Sequence, residues 1–175
     1  DNIYAGAGND FVVGGLDRDN IYGQAGADIL AGEGGDDFIY GGADNDSLYG
    51  NVGNDTLRGE AGNDKLYAGA GVDTLFGNAG DDILFGESGN DWLNGGLGNN
   101  TVIGGSGADI FELTMTGSDY GRDYIPDFTV GTDKIYLGND SSGVSLAQVN
   151  SNTYIYNNND LAAIVHGINT DQLTT

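Results

Sequence analysis

An apolar residue returns every ninth position over most of the chain. It is leucine, isoleucine, valine or phenylalanine each time: Ile3, Val12, Ile21, Leu30, Ile39, Leu48, Leu57, Leu66, Leu75, Leu84, Leu93, Val102 and Phe111. Strand side chains alternate between two faces, so a single apolar residue between variable neighbours is typical of a short strand with one inward side chain. The pattern predicts a three-residue strand in each repeat, with its middle side chain in the core.

The other six residues of each repeat are rich in glycine and predict a tight turn. Read from its first position, the repeat is Gly, any, small, Gly, polar, Asp, any, apolar, any, and twelve full copies run from Ala5 to Glu112. Three-residue strands are not stable alone, but strands stacked in parallel can share a continuous core. We therefore expect an all-β parallel solenoid with two repeats in each coil and two facing sheets.

The nine-residue spacing ends at Glu112, and the residues that follow have no regular repeat. Apolar and β-branched segments at 123–128, 133–137, 144–149, 153–156 and 161–168 predict strands, and 157–160 predicts a hairpin turn. A solenoid needs a cap at its last coil, because the coil would otherwise expose its edge and core. The sequence predicts a repeat domain at 1–112 and a capping β segment at 113–175.

An acidic residue precedes the apolar position by two residues in nearly every repeat. The series is Asp1, Asp10, Asp19, Asp28, Asp37, Asp46, Asp55, Asp64, Asp73, Asp82, Asp91, Asn100 and Asp109, with Asn100 as its single break. With two repeats per coil, aspartates eighteen residues apart lie on one edge, about 4.8 Å from each other. Carboxylates at that spacing repel unless a cation lies between them. Together with free turn carbonyls they make an all-oxygen cage that favours Ca²⁺.

The charge of the chain agrees with many bound cations. Acidic residues number 27 and basic residues 5, for a net charge of −22. This balance argues against nucleic acid and anionic membrane surfaces as partners. Filling about nine to eleven sites with Ca²⁺ would make the array nearly neutral. The chain has no cysteine for disulfides and no apolar run near the ~20 residues of a membrane span.

The stretch GNAGDDILFGESGNDWLNGG at 77–96 resembles the RTX repeat, the hemolysin-type calcium-binding nonapeptide of secreted bacterial toxins and enzymes. The resemblance implies a right-handed parallel β-roll in which each Ca²⁺ takes turn carbonyls and the aspartates of turns one coil apart. The carbonyl ligands implied here belong to the glycines at the first and fourth positions: Gly8, Gly14, Gly23, Gly26, Gly32, Gly35, Gly41, Gly50, Gly53, Gly59, Gly62, Gly71, Gly77, Gly80, Gly86, Gly89, Gly95, Gly98, Gly104 and Gly107.

The resemblance also implies a cellular context. Members of the family are exported by type I secretion machinery, so we expect a secreted, extracellular bacterial protein. The segments GADIFEL and DYIPDFTVGTDKIYL resemble the C-terminal segment that follows such arrays in secreted enzymes. The sequence starts within a repeat, as expected for part of a longer protein. It carries no HExxH, GxSxG or P-loop motif, so we expect a non-catalytic module, with any catalytic domain outside these residues.

Several positions depart from the repeat. The second position is often not glycine, and Ala5 and Ala68 replace the first glycine. Asp17 and Asp44 replace the fourth glycine. Aspartate tolerates the left-handed conformation better than most residues, so we expect these turns to survive with some backbone strain. Asn100 removes a carboxylate and is expected to weaken the last site on its edge.

Two further features allow more than one interpretation. Ten aromatic residues fall on outward positions, and eighteen-residue spacing predicts stacks of Tyr4, Tyr22 and Tyr40 and of Tyr49, Tyr67 and Phe85. Such stacks stiffen the sheets, or they form a platform for polysaccharide, which makes a glycan-binding surface module the alternative function.

The tail holds acidic residues and the single histidine. Asp119, Asp123, Asp127, Asp133 and Asp140 are either solvated loop residues or ligands of a further Ca²⁺ at the junction. His166 lies in an apolar segment and is expected to be structural.

Overall fold

The computed structural model describes residues 1–114, 121–137, 144–149, 152–157, 160–168 and 171. Within the repeats, these residues form β-strands joined by short turns, and further strands follow in the tail. The strands are β1 (Asn2–Ala7), β2 (Phe11–Gly15), β3 (Asn20–Ala25), β4 (Ile29–Gly34), β5 (Phe38–Ala43), β6 (Ser47–Val52), β7 (Thr56–Ala61), β8 (Lys65–Gly71), β9 (Thr74–Ala79), β10 (Ile83–Gly89), β11 (Trp92–Leu97), β12 (Thr101–Ile103), β13 (Ile110–Glu112), β14 (Asp123–Ile125), β15 (Lys134–Tyr136), β16 (Val144–Val149), β17 (Asn152–Asn157) and β18 (Asp160–His166).

Alternate strands belong to opposite sheets. The odd-numbered strands from β1 to β15 form an eight-stranded sheet, and the even-numbered strands belong to a ten-stranded sheet. Each repeat strand pairs in parallel with the strand one coil later, so that Ile21 faces Ile39 and Leu48 faces Leu66. This eighteen-residue register confirms the predicted parallel solenoid with two repeats per coil.

The core is the ladder of apolar eighth-position side chains between the two sheets. From Ile21 to Leu93 these side chains are fully buried, and Ile3 and Val12 in the first coil are partly buried. Val102 and Phe111 complete the ladder of the repeats, and Ile125 continues it into the tail. Each coil therefore contributes two large apolar groups, and the turns lie outside this narrow core.

The strands are longer than predicted. β3 spans six residues and includes the first three positions of the following repeat, so only positions four to six lie outside strands. The second position lies within this extension with a positive φ, even where it is not glycine, with values from 67° to 81° at Gln24, Glu33, Asn51, Glu60, Asn78 and Glu87. Each such residue carries strain on the order of 1 kcal/mol. The strain expected at the fourth position is present at Asp44, with φ 77°, but Asp17 is outside this region.

The tail adds strands to both sheets before it changes direction. β14 pairs in parallel with β12 and β18, and β15 pairs in parallel with β13. β16, β17 and β18 are antiparallel, and Asn157 faces Asp160 across the predicted hairpin. β14 ends at Ile125, short of the prediction, because Pro126 has no N–H to donate. Within the described residues, no helix has the length and apolar character needed to cross a membrane.

Candidate metal centre

The sixth-position aspartates are buried along both edges of the solenoid. Asp1 is exposed and Asp10 is half-buried, whereas the later members are at most 2% exposed: Asp19, Asp28, Asp37, Asp46, Asp55, Asp64, Asp73, Asp82, Asp91, Asn100 and Asp109. Each aspartate lies where the turn enters the next strand, two residues before a core side chain. Burying a carboxylate is costly unless hydrogen bonds or a cation compensate.

From Asp28 to Asp109, one side-chain oxygen of each sixth-position residue accepts a backbone N–H. Asp46 donates its N–H to Oδ1 of Asp64 at 2.7 Å, and Asp64 donates to Asp82 at 2.8 Å. The same bond recurs from Asp10 N–H to Asp109 Oδ1 with distances of 2.7–3.0 Å. The ladder fixes each side chain against the preceding coil.

The second oxygen has no hydrogen-bond partner. Among the described residues, the buried and unpartnered carboxylate oxygens are the Oδ2 atoms of Asp10, Asp28, Asp37, Asp46, Asp55, Asp64, Asp73, Asp82, Asp91 and Asp109. A buried polar atom without a partner costs about 1–3 kcal/mol, and more when it is charged. The repetition of this atom in ten turns indicates a ligand role.

Backbone oxygens lie beside these orphaned atoms. A Cβ added at Gly41 would collide with Asp46 Oδ2 and would lie 2.8 Å from the carbonyl oxygen of Gly59, one coil later. At the fourth position, a Cβ added at Gly62 would collide with the carbonyl oxygen of Asp44. The glycines therefore let carboxylate and carbonyl oxygens approach the backbone of the turns closely, and these oxygens are the donors that Ca²⁺ prefers.

Carboxylates alone do not complete this cage. In the part of the chain that the structure describes, no three His, Cys, Asp or Glu side chains converge on one point. The predicted ligand set takes its further oxygens from backbone carbonyls. The residues fit Ca²⁺ by donor type and by the orphaned oxygen, and the individual carbonyl assignments stay predictions.

Burial raises the pKa of the aspartates in the middle of the array. The pKa values of Asp46 and Asp55 rise to about 7, and those of Asp64, Asp73, Asp82 and Asp91 rise to about 6, mainly through desolvation. The backbone hydrogen bonds oppose this effect only in part. The metal-free fold therefore disfavours the charged carboxylates.

We expect the two forms of the protein to respond to pH in opposite directions. A carboxyl whose pKa is higher in the folded state binds more protons there than in the unfolded state between about pH 4 and pH 7, so metal-free stability falls as pH rises through this window. With Ca²⁺ present, protons compete with the cation, so stability falls as pH is lowered. Circular dichroism at pH 4.5 and 7.5, in EGTA and in Ca²⁺, measures both slopes. Slopes of the same sign would contradict the assignment.

Asn100 changes the chemistry of its edge. Its Oδ1 accepts the N–H of Asp82 at 2.9 Å, as an aspartate would. Its Nδ2 takes the place of the orphaned oxygen and donates to Oδ1 of Asp123 at 2.8 Å. A hydrogen-bond donor thus stands where the other turns present an acceptor, which gives a physical reason for the predicted loss of metal affinity.

The fifth position forms a second ladder that sequence reasoning missed. Asn45 Oδ1 accepts the N–H of Asn63 at 2.8 Å, and Asn63 Oδ1 accepts the N–H of Asp81 at 2.9 Å. These bonds link successive coils at the exposed surface of the turns without a cation. The recurrence of Asn or Asp at this position was the available signal.

The predicted aromatic stacks are present. Successive ring centroids in Tyr4–Tyr22–Tyr40 and Tyr49–Tyr67–Phe85 are 4.9–5.0 Å apart, with interplanar angles of 3–8°. Arg58 continues the stack in the eight-stranded sheet, with its guanidinium carbon 4.4 Å from the Phe76 ring centroid. Because neighbouring rings cover each other's faces, the geometry favours sheet stiffening over a platform for sugar rings. Glycan binding stays an untested alternative.

The acidic residues of the tail have separate environments. Asp119 and Asp140 lie outside the described residues, so the structure does not test them. Asp123 is buried, and desolvation raises its pKa to about 7. Asp127 and Asp133 accept backbone N–H groups. His166 is exposed in β18.

Comparison with known proteins gives one family match and several structural similarities. The sequence pattern of the RTX calcium-binding nonapeptide repeat matches residues 1–21, 13–48, 22–57, 49–84 and 76–111. No curated protein matches the sequence. Among solved structures, an extracellular lipase of Serratia marcescens is 19% identical over 95% of this chain, with a TM-score of 0.38, and this chain spans 37% of it. A subunit of the mannuronan C5-epimerase of Azotobacter vinelandii is 25% identical over 75% of this chain and 78% of its own, with a TM-score of 0.36.

Proposed function

Because the chain belongs to the RTX calcium-binding nonapeptide repeat family, it is a calcium-binding module, and we propose that Ca²⁺ binding drives its folding. The observation that carries this proposal is the column of buried, unpartnered Oδ2 atoms. Each of these oxygens is a cost to the metal-free fold and a ligand in the metal-bound one. Coupling follows because a site made of two coils exists only when the coils are stacked.

The proposed sites lie between successive coils on both edges. Their ligands are the sixth-position carboxylates and the carbonyls of the first- and fourth-position glycines. The two edges offer room for about nine to eleven Ca²⁺, the lower number allowing for the exposed Asp1 turn and for Asn100. The net charge of −22 requires a total of this order for near neutrality.

The biological role follows from the same coupling. We propose that repulsion among the aspartates keeps the chain unfolded at low intracellular Ca²⁺, which suits export by type I secretion machinery. Outside the cell, Ca²⁺ near millimolar is in the range of extracellular modules and would fold the array. The folded module would then stabilise a longer extracellular bacterial protein, with the tail as its cap and any catalytic domain in another segment.

Counting the ions tests the proposed site number. Native mass spectrometry of the full chain in a Ca²⁺ titration is expected to show a cooperative shift to a compact form carrying about nine to eleven Ca²⁺. Mg²⁺ serves as the control, since it demands a stricter octahedral geometry and keeps its water ligands. A saturated form with only one or two ions would contradict binding along the whole ladder.

A further inference from the structure

The aspartate ladder continues for one coil after the regular repeats end. Asp109 donates its N–H to Oδ1 of Asp133 at 3.1 Å, and Lys134 donates to the carbonyl of Asp109 at 2.8 Å. The same pair of bonds joins Asp91 to the coil of Asp109, at 3.0 and 2.8 Å. Ile135 follows Asp133 by two residues and packs against the core. Asp133 therefore holds a sixth position after an interval of twenty-four residues instead of eighteen.

The last regular aspartate keeps an unpartnered oxygen at this junction. Asp109 is 1% exposed, and its buried Oδ2 has no hydrogen-bond partner. This oxygen faces Gly104, where an added Cβ would collide with it. This orphaned oxygen matches those of the preceding turns, although no regular repeat follows to supply the next coil.

A carboxylate from the tail reaches the same glycine. Asp127 accepts the N–H of Gly104 through Oδ1 at 3.3 Å and the N–H of Gly105 through Oδ2 at 2.8 Å. In a regular turn, the backbone of the following coil supplies the oxygen beside the orphaned atom: a Cβ at Gly86 would lie 2.5 Å from the Gly104 carbonyl oxygen and 2.7 Å from Asp91 Oδ2. A Cβ at Gly104 would lie 2.8 Å from the Phe111 ring instead of from a backbone oxygen. The oxygens that the tail brings to the backbone of Gly104 and Gly105 belong to the Asp127 carboxylate.

We propose that Asp109 and Asp127 bind one further Ca²⁺ at the junction between the repeats and the tail. Asp133 is a positioning residue, because its Oδ1 binds the Asp109 N–H and its Oδ2 binds the Thr129 N–H at 2.7 Å. Among the described residues, none of these three carboxylates forms an ion pair with Lys or Arg. The proposal rests on calcium binding by the repeats and adds a site whose second carboxylate, Asp127, lies beyond the matched residues 1–111.

The opposite edge of the junction provides a built-in contrast. There the Asn100 side-chain amide donates to Asp123, and the Tyr124 N–H donates to the Asn100 carbonyl. The Arg122 N–H donates to the Gly98 carbonyl, which completes the connection to β14. A donor fills the place of a cation, so this edge joins the tail to the array without metal. The junction thus has one metal-dependent edge and one metal-free edge.

The site is tested by the ion count of the full chain carrying Asp127→Asn. Asparagine keeps an oxygen to accept a backbone N–H but lacks the charge, so native mass spectrometry is expected to show one Ca²⁺ fewer than in the wild type at saturation. Asp81→Asn is the matched control, because Asp81 is exposed in a turn outside the sites and several repeats already have asparagine there. Its count is expected to equal that of the wild type.

The outcomes separate this site from the function of the repeats. A wild type that binds no Ca²⁺ would overturn the proposed function and, with it, the junction site. A wild type that fills its repeats, with an unchanged count in folded Asp127→Asn, would overturn the junction site alone. If the variant does not fold, a crystal structure of the Ca²⁺-loaded wild type decides. An ion within about 2.3–2.6 Å of both Asp109 Oδ2 and Asp127 is expected, and its absence would overturn the site.

Discussion

Asp73→Asn is expected to stabilise the metal-free fold and to destabilise the calcium-bound one. Asp73 is buried, its Oδ1 accepts the Asp55 N–H at 2.7 Å, and its Oδ2 has no partner. Asparagine preserves the hydrogen bond, as Asn100 does with Asp82 at 2.9 Å. The variant therefore removes a buried charge and leaves the backbone ladder intact.

The sign of the effect depends on the cation. Without Ca²⁺, losing the buried charge relieves a desolvation cost, and we expect a gain on the order of 1 kcal/mol. With Ca²⁺, the two sites that share Asp73 each lose a charged ligand, and the expected loss is about 3–5 kcal/mol, as for other broken buried charge pairs. Asp73→Ala is expected to be worse than Asp73→Asn in both conditions, because the Asp55 N–H then has no acceptor.

Two titrations measure these effects. Urea denaturation at saturating Ca²⁺ gives the loss, and folding by trimethylamine N-oxide in EGTA, followed by circular dichroism, gives the gain. Asp81→Asn is again the control; it removes an exposed charge beside Asp82 and is expected to shift both midpoints much less than Asp73→Asn does. Destabilisation by Asp73→Asn in both conditions would contradict this account, because the carboxylate would then stabilise the metal-free fold as well as the calcium-bound one.

The second large effect is expected for Gly80→Ala. Gly80 has φ 142°, and an added Cβ would collide with the carbonyl oxygen of Gly62 in the preceding coil. The backbone cannot move to relieve this collision without separating two coils. The Gly80 N–H donates to the Leu97 carbonyl, and the Gly62 N–H donates to the Ala79 carbonyl. Strain and collision together are expected to cost about 3–5 kcal/mol in Ca²⁺.

Gly8→Ala separates strain from collision. Gly8 also occupies a fourth position with positive φ, at 115°, but a Cβ there meets nothing within 4 Å. We expect a cost of only about 1–2 kcal/mol from the left-handed backbone. The difference between the two urea midpoints in Ca²⁺ reports the close approach of the coils. Equal midpoints would mean that the coils are not in close contact at this carbonyl.

The repeat domain could be predicted because one spacing fixes several features at once. The nine-residue interval placed Leu48 and Leu66 in the core, Asp46 and Asp64 on one edge, and Tyr49 beside Tyr67. Parallel pairing at eighteen residues follows once two repeats form a coil. Each of these contacts is local to neighbouring coils, so periodicity alone determines it.

Features that depend on backbone conformation were not predictable in the same way. The positive φ of Glu33 or Glu60 contradicts the usual preference of glutamate, and it is imposed by the ladder on either side. The Asn63 bonds were missed because a polar residue in a turn is ordinarily assigned to solvent.

Strand pairing in the tail could not be predicted from the repeat spacing. The segments DYI and DKI carry the Asp-any-apolar signature of the repeat, but irregular intervals separate them from Asn100 and Asp109. Their pairing depends on tertiary contacts, such as Thr101 with Tyr124 and Ile110 with Lys134. The continuation of the ladder at Asp123 and Asp133 therefore emerged only from the structure.

Far-UV circular dichroism during a Ca²⁺ titration from EGTA tests coupled folding most directly. We predict a coil spectrum in EGTA at neutral pH and a steep transition to a β spectrum with Ca²⁺, but not with Mg²⁺ at the same concentration. That result would establish that the cations complete the fold. A β spectrum already present in EGTA and unchanged by Ca²⁺ would contradict it, and the buried aspartates would then need another source of stabilisation.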